Sequence, residues 1–304
     1  MNSVTVFAPA TCGNLCVGFD IMGLCYEKVG DKVTVTKIDE AVVKIESIIG
    51  GEGIPLDPQK NTAGIVLLEL IKIEKLSFGF SLKIEKGIAI GSGMGGSAAS
   101  AVGALVGANS FLEKPLSHEK LLEYSLVGEK LASGSAHADN AAPCLYGGAV
   151  LLSNNEVISL PFPKEVFLLL IHPHLIVKTE DARKALKPHY FLGEYITQSQ
   201  NLSGFIVSCF KNDLELMKKS FFDVLVEPSR APLTEGFKEC KQIAITMDTL
   251  GHCLSGSGPS QLTLCRSEEQ AQNILKEFES IYSTKNIALD SYIGKINNEG
   301  ARII

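Results

Sequence analysis

Residues 91–100 read GSGMGGSAAS, a loop in which four of the first six positions are glycine. The alternating stretch GFSLKIEKGIAI (79–90) that precedes it is typical of a strand, and the small residues from Ser97 onward have helical spacing until Pro115. Glycines let backbone N–H groups approach a ligand closely, and a following helix adds the positive end of its dipole. The loop therefore predicts an anion site, with a tight connection to a closely packed helix as the simpler alternative.

Two widespread nucleotide motifs describe this loop poorly. Gly91, Gly93 and Gly96 satisfy the dinucleotide pattern GxGxxG, but the acidic residue at the expected distance, Glu113, ends a helical run instead of a second strand. The P-loop pattern GxxxxGK[ST] fails because its lysine is missing. A dehydrogenase is therefore the least favoured interpretation of the loop.

The rest of the chain mixes strand and helix patterns. Alternation at Val4–Ala8, 33–35 and 42–45 predicts strands. Residues 61–75 place Ile65, Leu68 and Ile71 at helical spacing behind an Asn-Thr start that suits an N-cap. A second glycine loop, SGSGPS, lies between two short strand patterns at 255–260. Further helices are expected at 117–131, 180–187, 191–210, 213–222, 233–250 and 267–280, and a hairpin at 147–160.

The composition is that of a globular protein. The chain has 304 residues, and 45% of them are hydrophobic. A chain of this length is longer than one hydrophobic core usually organises, so we expect two domains with a boundary near residue 155. Its apolar stretches are too short or too broken by glycine to span a bilayer, and its N-terminus lacks the features of a secretory signal. A cytoplasmic protein without membrane contact is expected, and its eight scattered cysteines are expected to be reduced and mostly buried.

The charge balance limits the possible ligands. A formal net charge of −6 argues against a general nucleic-acid binder. Any anionic ligand must therefore be bound by a local group of donors or basic side chains. Only four of the 28 basic residues are arginines, namely Arg183, Arg230, Arg266 and Arg302. Lysine serves ordinary solubility, whereas the guanidinium fork binds carboxylate or phosphate bidentately. The arginines are therefore candidates for anion recognition, with structural ion pairs as the alternative.

Six separated blocks carry a resemblance to a known family. They run in order from residue 6 to about residue 265 and resemble the motif blocks of the GHMP small-molecule kinases, which include galactokinase, homoserine kinase, mevalonate kinase and phosphomevalonate kinase. Within that family the blocks look most like the branch that phosphorylates homoserine. The blocks are APATCGNLCVGFDIMG (8–23), GSGMGGSAAS (91–100), GEKLASGSAHADNAAP (128–143), TEDAR (179–183), EPSR (227–230) and LSGSGPS (254–260).

The resemblance implies a two-domain α+β fold. Residues 1–155 would form an N-terminal nucleotide-binding domain like ribosomal protein S5 domain 2, and residues 156–304 a ferredoxin-like C-terminal domain. The active site would lie between them. Because family members are often dimers, a homodimer is also implied.

The resemblance further implies ATP and Mg²⁺ as cofactors. Ser97 matches the serine that helps to hold Mg²⁺ in the family, and Glu129 matches its acidic partner. Mg²⁺ keeps several waters and needs only one or two protein oxygens, so this pair is sufficient. For Glu129 an exposed helix residue without such a role is the alternative. The triphosphate would be held by Gly91, Ser92, Gly93, Met94, Gly95, Gly96, Ser97 and Ala98.

The implied acceptor is the side-chain hydroxyl of L-homoserine, on the route to threonine. Arg183 and Arg230 match the family's carboxylate-binding arginines, and Asp20 with Asn14 matches the groups that take the amino end. His137 and Asn140 of the HADN segment would contact the substrate, with Asn140 orienting the hydroxyl. The resemblance leaves the role of Asp139 open.

The chain also departs from the family pattern. Gly96 replaces the first of the paired serines in the family's loop. The wall around Asn14 also differs from the family pattern, because the opening block has Cys12-Gly13 and Cys16-Val17. Two other functions remain open on the same scaffold. One is a kinase for another small alcohol such as mevalonate, and the other is a non-catalytic binder of nucleotide or amino acid.

Overall fold

The computed structural model describes residues 2–133, 137–154 and 156–304, and its strands form two sheets. The strands in chain order are β1 (Ser3–Gly13), β2 (Met22–Ile38), β3 (Val43–Ile49), β4 (Gly79–Glu85), β5 (Ala149–Ser153), β6 (Glu156–Leu160), β7 (Phe167–Pro173), β8 (Gly251–Leu254), β9 (Gln261–Cys265), β10 (Leu289–Gly294) and β11 (Arg302–Ile303).

The first sheet has the order β11-β1-β2-β4-β3, and β5 pairs with both β2 and β6. Its pairs are antiparallel except for β3 with β4, which are parallel. The second sheet is antiparallel with the order β10-β7-β9-β8. This two-sheet architecture with separate helices confirms the α+β class.

The helices cover most of the predicted segments. Among the described residues two α-helices were not predicted, α4 (Ala141–Tyr146) and α8 (Glu227–Arg230), because AAPCLY and EPSR are short and each contains a proline. The helices are α1 (Thr62–Glu74), α2 (Gly96–Asn109), α3 (His118–Ser133), α4 (Ala141–Tyr146), α5 (Thr179–Lys184), α6 (Leu192–Lys211), α7 (Leu214–Ser220), α8 (Glu227–Arg230), α9 (Phe237–Thr246) and α10 (Glu268–Thr284).

Helix α1 begins as the sequence predicts, because the Asn61 side chain accepts hydrogen bonds from the N–H groups of Ala63 and Gly64. The residues that show the helical spacing, Ile65, Leu68 and Ile71, are partly buried and pack against the hydrophobic core. The fully buried residues are Ala63, Gly64, Val66, Leu67 and Leu70, because α1 packs against both α2 and α3.

Helix α2 lies unusually close to the first sheet. A Cβ atom on Gly103 would be 2.8 Å from Val33 Cγ2, and one on Gly107 would be 2.4 Å from Val35 Cγ2. Larger side chains at these two positions would push the helix off β2. The run of small residues after the glycine loop therefore serves close helix packing, and this packing fixes the start of α2 above the sheet.

The cores do not divide the chain at a single residue. The larger core contains residues from both sheets, including Leu82 of β4 and Leu168 of β7, whereas the smaller core lies between β7, α9 and α10. Strands β6 and β11 belong to the first sheet although they follow residue 155. The boundary near residue 155 therefore stays a prediction.

All eight cysteines are buried and carry free thiols. Within the described ranges, no helix combines the length and the apolar character needed to span a membrane.

Candidate active site

The glycine loop joins β4 to α2 and is clamped between two other segments. Three consecutive carbonyls accept hydrogen bonds: Ser92 O from Ser260 N at 3.0 Å, Gly93 O from Ser255 Oγ at 2.9 Å, and Met94 O from Thr11 N at 3.1 Å. The loop is thus attached to the end of β1 on one side and to the 255–260 loop on the other.

Close packing explains two of the loop glycines. Gly91, Gly93 and Gly95 have φ of 67°, 79° and 69°, which glycine adopts readily. A Cβ on Gly93 would lie 2.5 Å from Ser255 O, and a Cβ on Gly95 would lie 2.1 Å from Thr11 Oγ1. The simpler alternative, a tight and closely packed connection, therefore accounts for Gly93 and Gly95.

The start of α2 has the features of an anion site. Its N-cap residue, Gly95, has no side chain with which to cap the first-turn N–H groups. Ser97 lies exposed in that first turn. The helix has 14 residues, and the positive end of its dipole faces the cavity that Gly95, Gly96 and Ser97 line.

A buried charge cluster under the loop was missed by sequence reasoning. Asp31, fully buried on β2, pairs with Lys86 and accepts hydrogen bonds from Gly87 N and Ile88 N, both at 3.1 Å, and from Ser100 Oγ at 3.0 Å. The Lys86 ammonium also donates to Gly96 O at 3.0 Å. The cluster ties the start of α2 to the sheet. No local pattern signals it, because its three side chains, Asp31, Lys86 and Ser100, lie 14 to 69 positions apart.

One cavity of about 360 Å³ brings the predicted site residues together. Met94 is the exception, because its side chain is 1% exposed and belongs to the core. Of the predicted residues, the cavity is lined by Asn14, Asp20, Gly91, Ser92, Gly93, Gly95, Gly96, Ser97, Ala98, Glu129, His137, Asn140, Arg183 and Arg230.

Asp20 and Arg183 form a bidentate ion pair in this cavity. Arg183 NH1 lies 3.2 Å from Asp20 Oδ2, and Arg183 NH2 lies 3.0 Å from Asp20 Oδ1. His137 Nδ1 lies 3.4 Å from the same carboxylate. Burial lowers the pKa of His137, so its ring is neutral at neutral pH. The site therefore holds an anionic and a cationic group side by side.

Asn14 links Asp20 to the 255–260 loop. Its φ is 68°, in the left-handed region that asparagine tolerates better than most residues. Its Oδ1 accepts from Asp20 N at 3.0 Å, and its Nδ2 donates to Gly256 O at 3.1 Å. Arg230 NH1 donates to the same carbonyl at 3.1 Å. The amide thus connects the acidic group to the second arginine.

Phe19 is a further residue that sequence reasoning missed. The guanidinium carbons of Arg183 and Arg230 lie 5.3 and 4.9 Å from the centre of its ring, within cation–π range. One aromatic ring therefore supports both arginines. The only available signal was its place in the opening block, next to Asp20. The other two arginines pair outside the cavity, Arg266 with Glu215 at 2.7 Å and Arg302 with Glu299 at 3.0 Å.

The HADN segment contributes an amide and a buried acid. Asn140 Oδ1 accepts from Thr11 Oγ1 at 2.8 Å, which fixes the amide beside Gly95. Asp139 is 6% exposed. Burial, together with the negative charges of Asp20 and Glu129, raises the pKa of Asp139 to about 7. Residues 134–136 of this block lie outside the described residues.

The raised pKa of Asp139 predicts a pH-dependent effect of Asp139→Asn on stability. A carboxyl that stays protonated to about pH 7 in the folded chain, and to about 4 when unfolded, stabilises the fold at low pH. That contribution falls as the pH rises through this window. We expect Asp139→Asn to raise the thermal midpoint relative to the parent at pH 8 and to raise it clearly less at pH 5, near the lower end of this window.

The matched control is Asp39→Asn, at an exposed position. It should shift the midpoint similarly at both pH values. The parent and both variants share the other buried acids, such as Glu227. The effect of these acids therefore cancels when the midpoint of the parent is subtracted from that of a variant. An Asp139→Asn midpoint shift of the same size at pH 5 and pH 8 would contradict the raised pKa.

Comparison with known proteins identifies the family of the chain. The family model for the GHMP kinases N terminal domain matches residues 61–148, and that for GHMP kinases C terminal matches residues 205–284. The homoserine kinase of Xylella fastidiosa (strain M12) is 40% identical over 299 residues, covering 98% of this chain and 93% of the relative. That of Chlorobaculum tepidum is 37% identical over 320 residues, covering 100% and 99%.

Solved structures point to the same family. The crystal structure of homoserine kinase from Cytophaga hutchinsonii matches with a TM-score of 0.96 and 38% identity, covering 100% of this chain and 98% of that chain. L. major mevalonate kinase, at 16% identity and a TM-score of 0.69, shares the fold alone. From the two family models and these full-length matches, the chain belongs to the GHMP kinases and, within them, to the homoserine kinase family.

Proposed function

We propose that this protein transfers the terminal phosphoryl group of ATP to the side-chain hydroxyl of L-homoserine, producing O-phospho-L-homoserine and ADP. The observation that carries the proposal is that one cavity holds Asp20, Arg183 and Arg230 together with the uncapped start of α2. Such a cavity offers groups of both signs to an amino acid and an anion site to a polyphosphate.

The ion pair of Asp20 and Arg183 matches the charges of the acceptor. An α-amino acid carries an ammonium and a carboxylate on adjacent atoms, so it can exchange partners with this pair. The ammonium would bind Asp20, and the carboxylate would bind Arg183 and Arg230. Without substrate the two side chains neutralise each other, which limits the cost of holding charges in a partly buried site.

The nucleotide would lie along the glycine loop. The first-turn N–H groups of α2 and the dipole at Gly95–Ser97 favour phosphate oxygens. Aliphatic side chains also line the cavity, including Ile48, Ile54 and Ile90, and they offer an apolar surface to a purine ring.

Ser97 and Glu129 are the proposed Mg²⁺ residues. Both line the cavity, and a hydroxyl with a carboxylate is a hard-oxygen donor set of the kind that Mg²⁺ prefers. When bound, the ion would neutralise charge on the phosphates during transfer. Because Gly96 has no hydroxyl, Ser97 is the serine on which this role depends.

Positioning can supply most of the acceleration, because phosphoryl transfer passes through a loose transition state. Asn140, held by Thr11, would orient the acceptor hydroxyl toward the phosphate. The proposal assigns no proton-accepting role to Asp139. A mevalonate-like acceptor is disfavoured because it has no ammonium for Asp20, and a non-catalytic binder would not need the Ser97–Glu129 pair.

The direct test is an ADP-release assay with Mg-ATP and a panel of acceptors: L-homoserine, L-serine, L-threonine, mevalonate and galactose. Turnover selective for L-homoserine is the expected result. Preference for mevalonate or galactose would overturn the assigned acceptor. ATP binding without turnover on any acceptor would show a non-catalytic binder.

Arg183→Ala and Arg230→Ala should each lower kcat/KM for L-homoserine by about 100-fold or more, since a charged hydrogen bond contributes about 1.5–3 kcal/mol and each fork makes more than one. The Kd for ATP should change little in both variants. Arg266→Ala, at a surface ion pair, is the control and should behave as the parent. An equal loss of ATP affinity in both site variants would contradict the assignment.

Phe19→Leu should raise the KM for L-homoserine roughly tenfold, because it removes two cation–π contacts of about 0.5–1 kcal/mol each. The kcat and the KM for ATP should be nearly unchanged. Phe19→Tyr keeps the ring and should restore the parental KM. A KM in Phe19→Tyr as high as in Phe19→Leu would mean that the aromatic face is not what holds the arginines.

A further inference from the structure

A second cluster of polar side chains lies at the end of β7, and none of its members lines the cavity described above. It consists of His172 and His174 of the sequence His-Pro-His, with Asp290 of β10. Among the described residues it is the one group of three or more histidine, cysteine or carboxylate side chains whose ligand atoms lie close enough to share a metal ion, all within 4.8 Å of one another.

The sheet itself brings the three side chains together. His172 and Asp290 are direct partners across the antiparallel pair of β7 and β10, so their side chains share one face. His174 lies two positions further on and returns to that face, and its backbone N–H donates to Ala288 O at 2.8 Å. Two strands in register therefore preorganise His172 and Asp290, and the backbone hydrogen bond to Ala288 holds His174 just beyond the end of β7.

The distances approach those of a metal site. Asp290 Oδ2 lies 2.9 Å from His174 Nε2 and 3.4 Å from His172 Nδ1. Ligands bound to Zn²⁺ at about 2.0–2.1 Å in a tetrahedron are about 3.3–3.4 Å apart. Two of the three edges are therefore nearly formed already, and a modest rotation of the exposed His174 would complete the third.

We propose that His172, His174 and Asp290 form a binding site for a divalent transition-metal ion, Zn²⁺ being the best match. Two imidazoles with one carboxylate favour Zn²⁺ and its neighbours over Mg²⁺ or Ca²⁺, which prefer oxygen ligands. The site has a buried and an open side, because the side chain of His172 is 7% exposed whereas those of His174 and Asp290 are 51% and 46% exposed. Three protein ligands leave the fourth position of the tetrahedron for water.

The test uses the full-length chain without a histidine tag, stripped with EDTA, and titrates it with Zn²⁺ by calorimetry. One Zn²⁺ per chain is expected. Loss of an outer-shell partner already weakens metal sites by about 10- to 100-fold, so loss of a ligand in His174→Ala or Asp290→Asn should weaken binding by at least about 100-fold. Circular dichroism and the thermal midpoint without metal should match the parent in both variants.

His189→Ala, at another exposed histidine, is the matched control and should keep the parental affinity. Zn²⁺ binding that persists unchanged in His174→Ala and Asp290→Asn would place the ion elsewhere, for example at Asp20 and His137, and would overturn the proposal. So would the absence of Zn²⁺ binding by the parent chain. Neither result affects the kinase assay, so the Zn²⁺ site and the kinase function are tested independently.

Discussion

The site depends on a three-way backbone junction between the glycine loop, the end of β1 and the 255–260 loop. Met94, Gly93 and Ser92 offer their carbonyls to this junction, and Gly256 N donates to Gly13 O at 3.2 Å to complete it. Because neutral backbone groups make most of these contacts, the junction has few side-chain degrees of freedom. It places the start of α2 and the arginines of the C-terminal half in one cavity.

A second constraint is the buried charge of Asp31. A carboxylate with no exposed surface must be paired and hydrogen-bonded, and this one receives four donors from Lys86, Gly87, Ile88 and Ser100. The donors come from the segment that leads into the glycine loop and from α2. Removing one partner would leave a buried charge unsatisfied, so the cluster links the position of the loop to the stability of the first sheet.

The electrostatics of the cavity are balanced in a chain with a net charge of −6. Asp20 and Asp139 would repel one another if the site held no cations, and part of that repulsion is visible in the raised pKa of Asp139. Arg183 and Arg230 offset the acids, and both rest on the ring of Phe19. A zwitterionic ligand can enter such a site without changing its net charge, whereas a ligand with charge of one sign would leave Asp20 or Arg183 without its partner.

The sequence by itself determined the α+β class, most helices, the strand-loop-helix around residue 91 and a set of site residues of which all but Met94 line the cavity. These features depend on local periodicity, on capping residues such as Asn61 or on short motif blocks. Only the tertiary structure decided the inward face of α1, the burial of Met94, the ring of Phe19 beneath two arginines, and the pairs of Asp31 with Lys86 and His172 with Asp290. Those contacts join residues far apart in the chain, where pairing depends on strand register and helix packing and no local pattern records it.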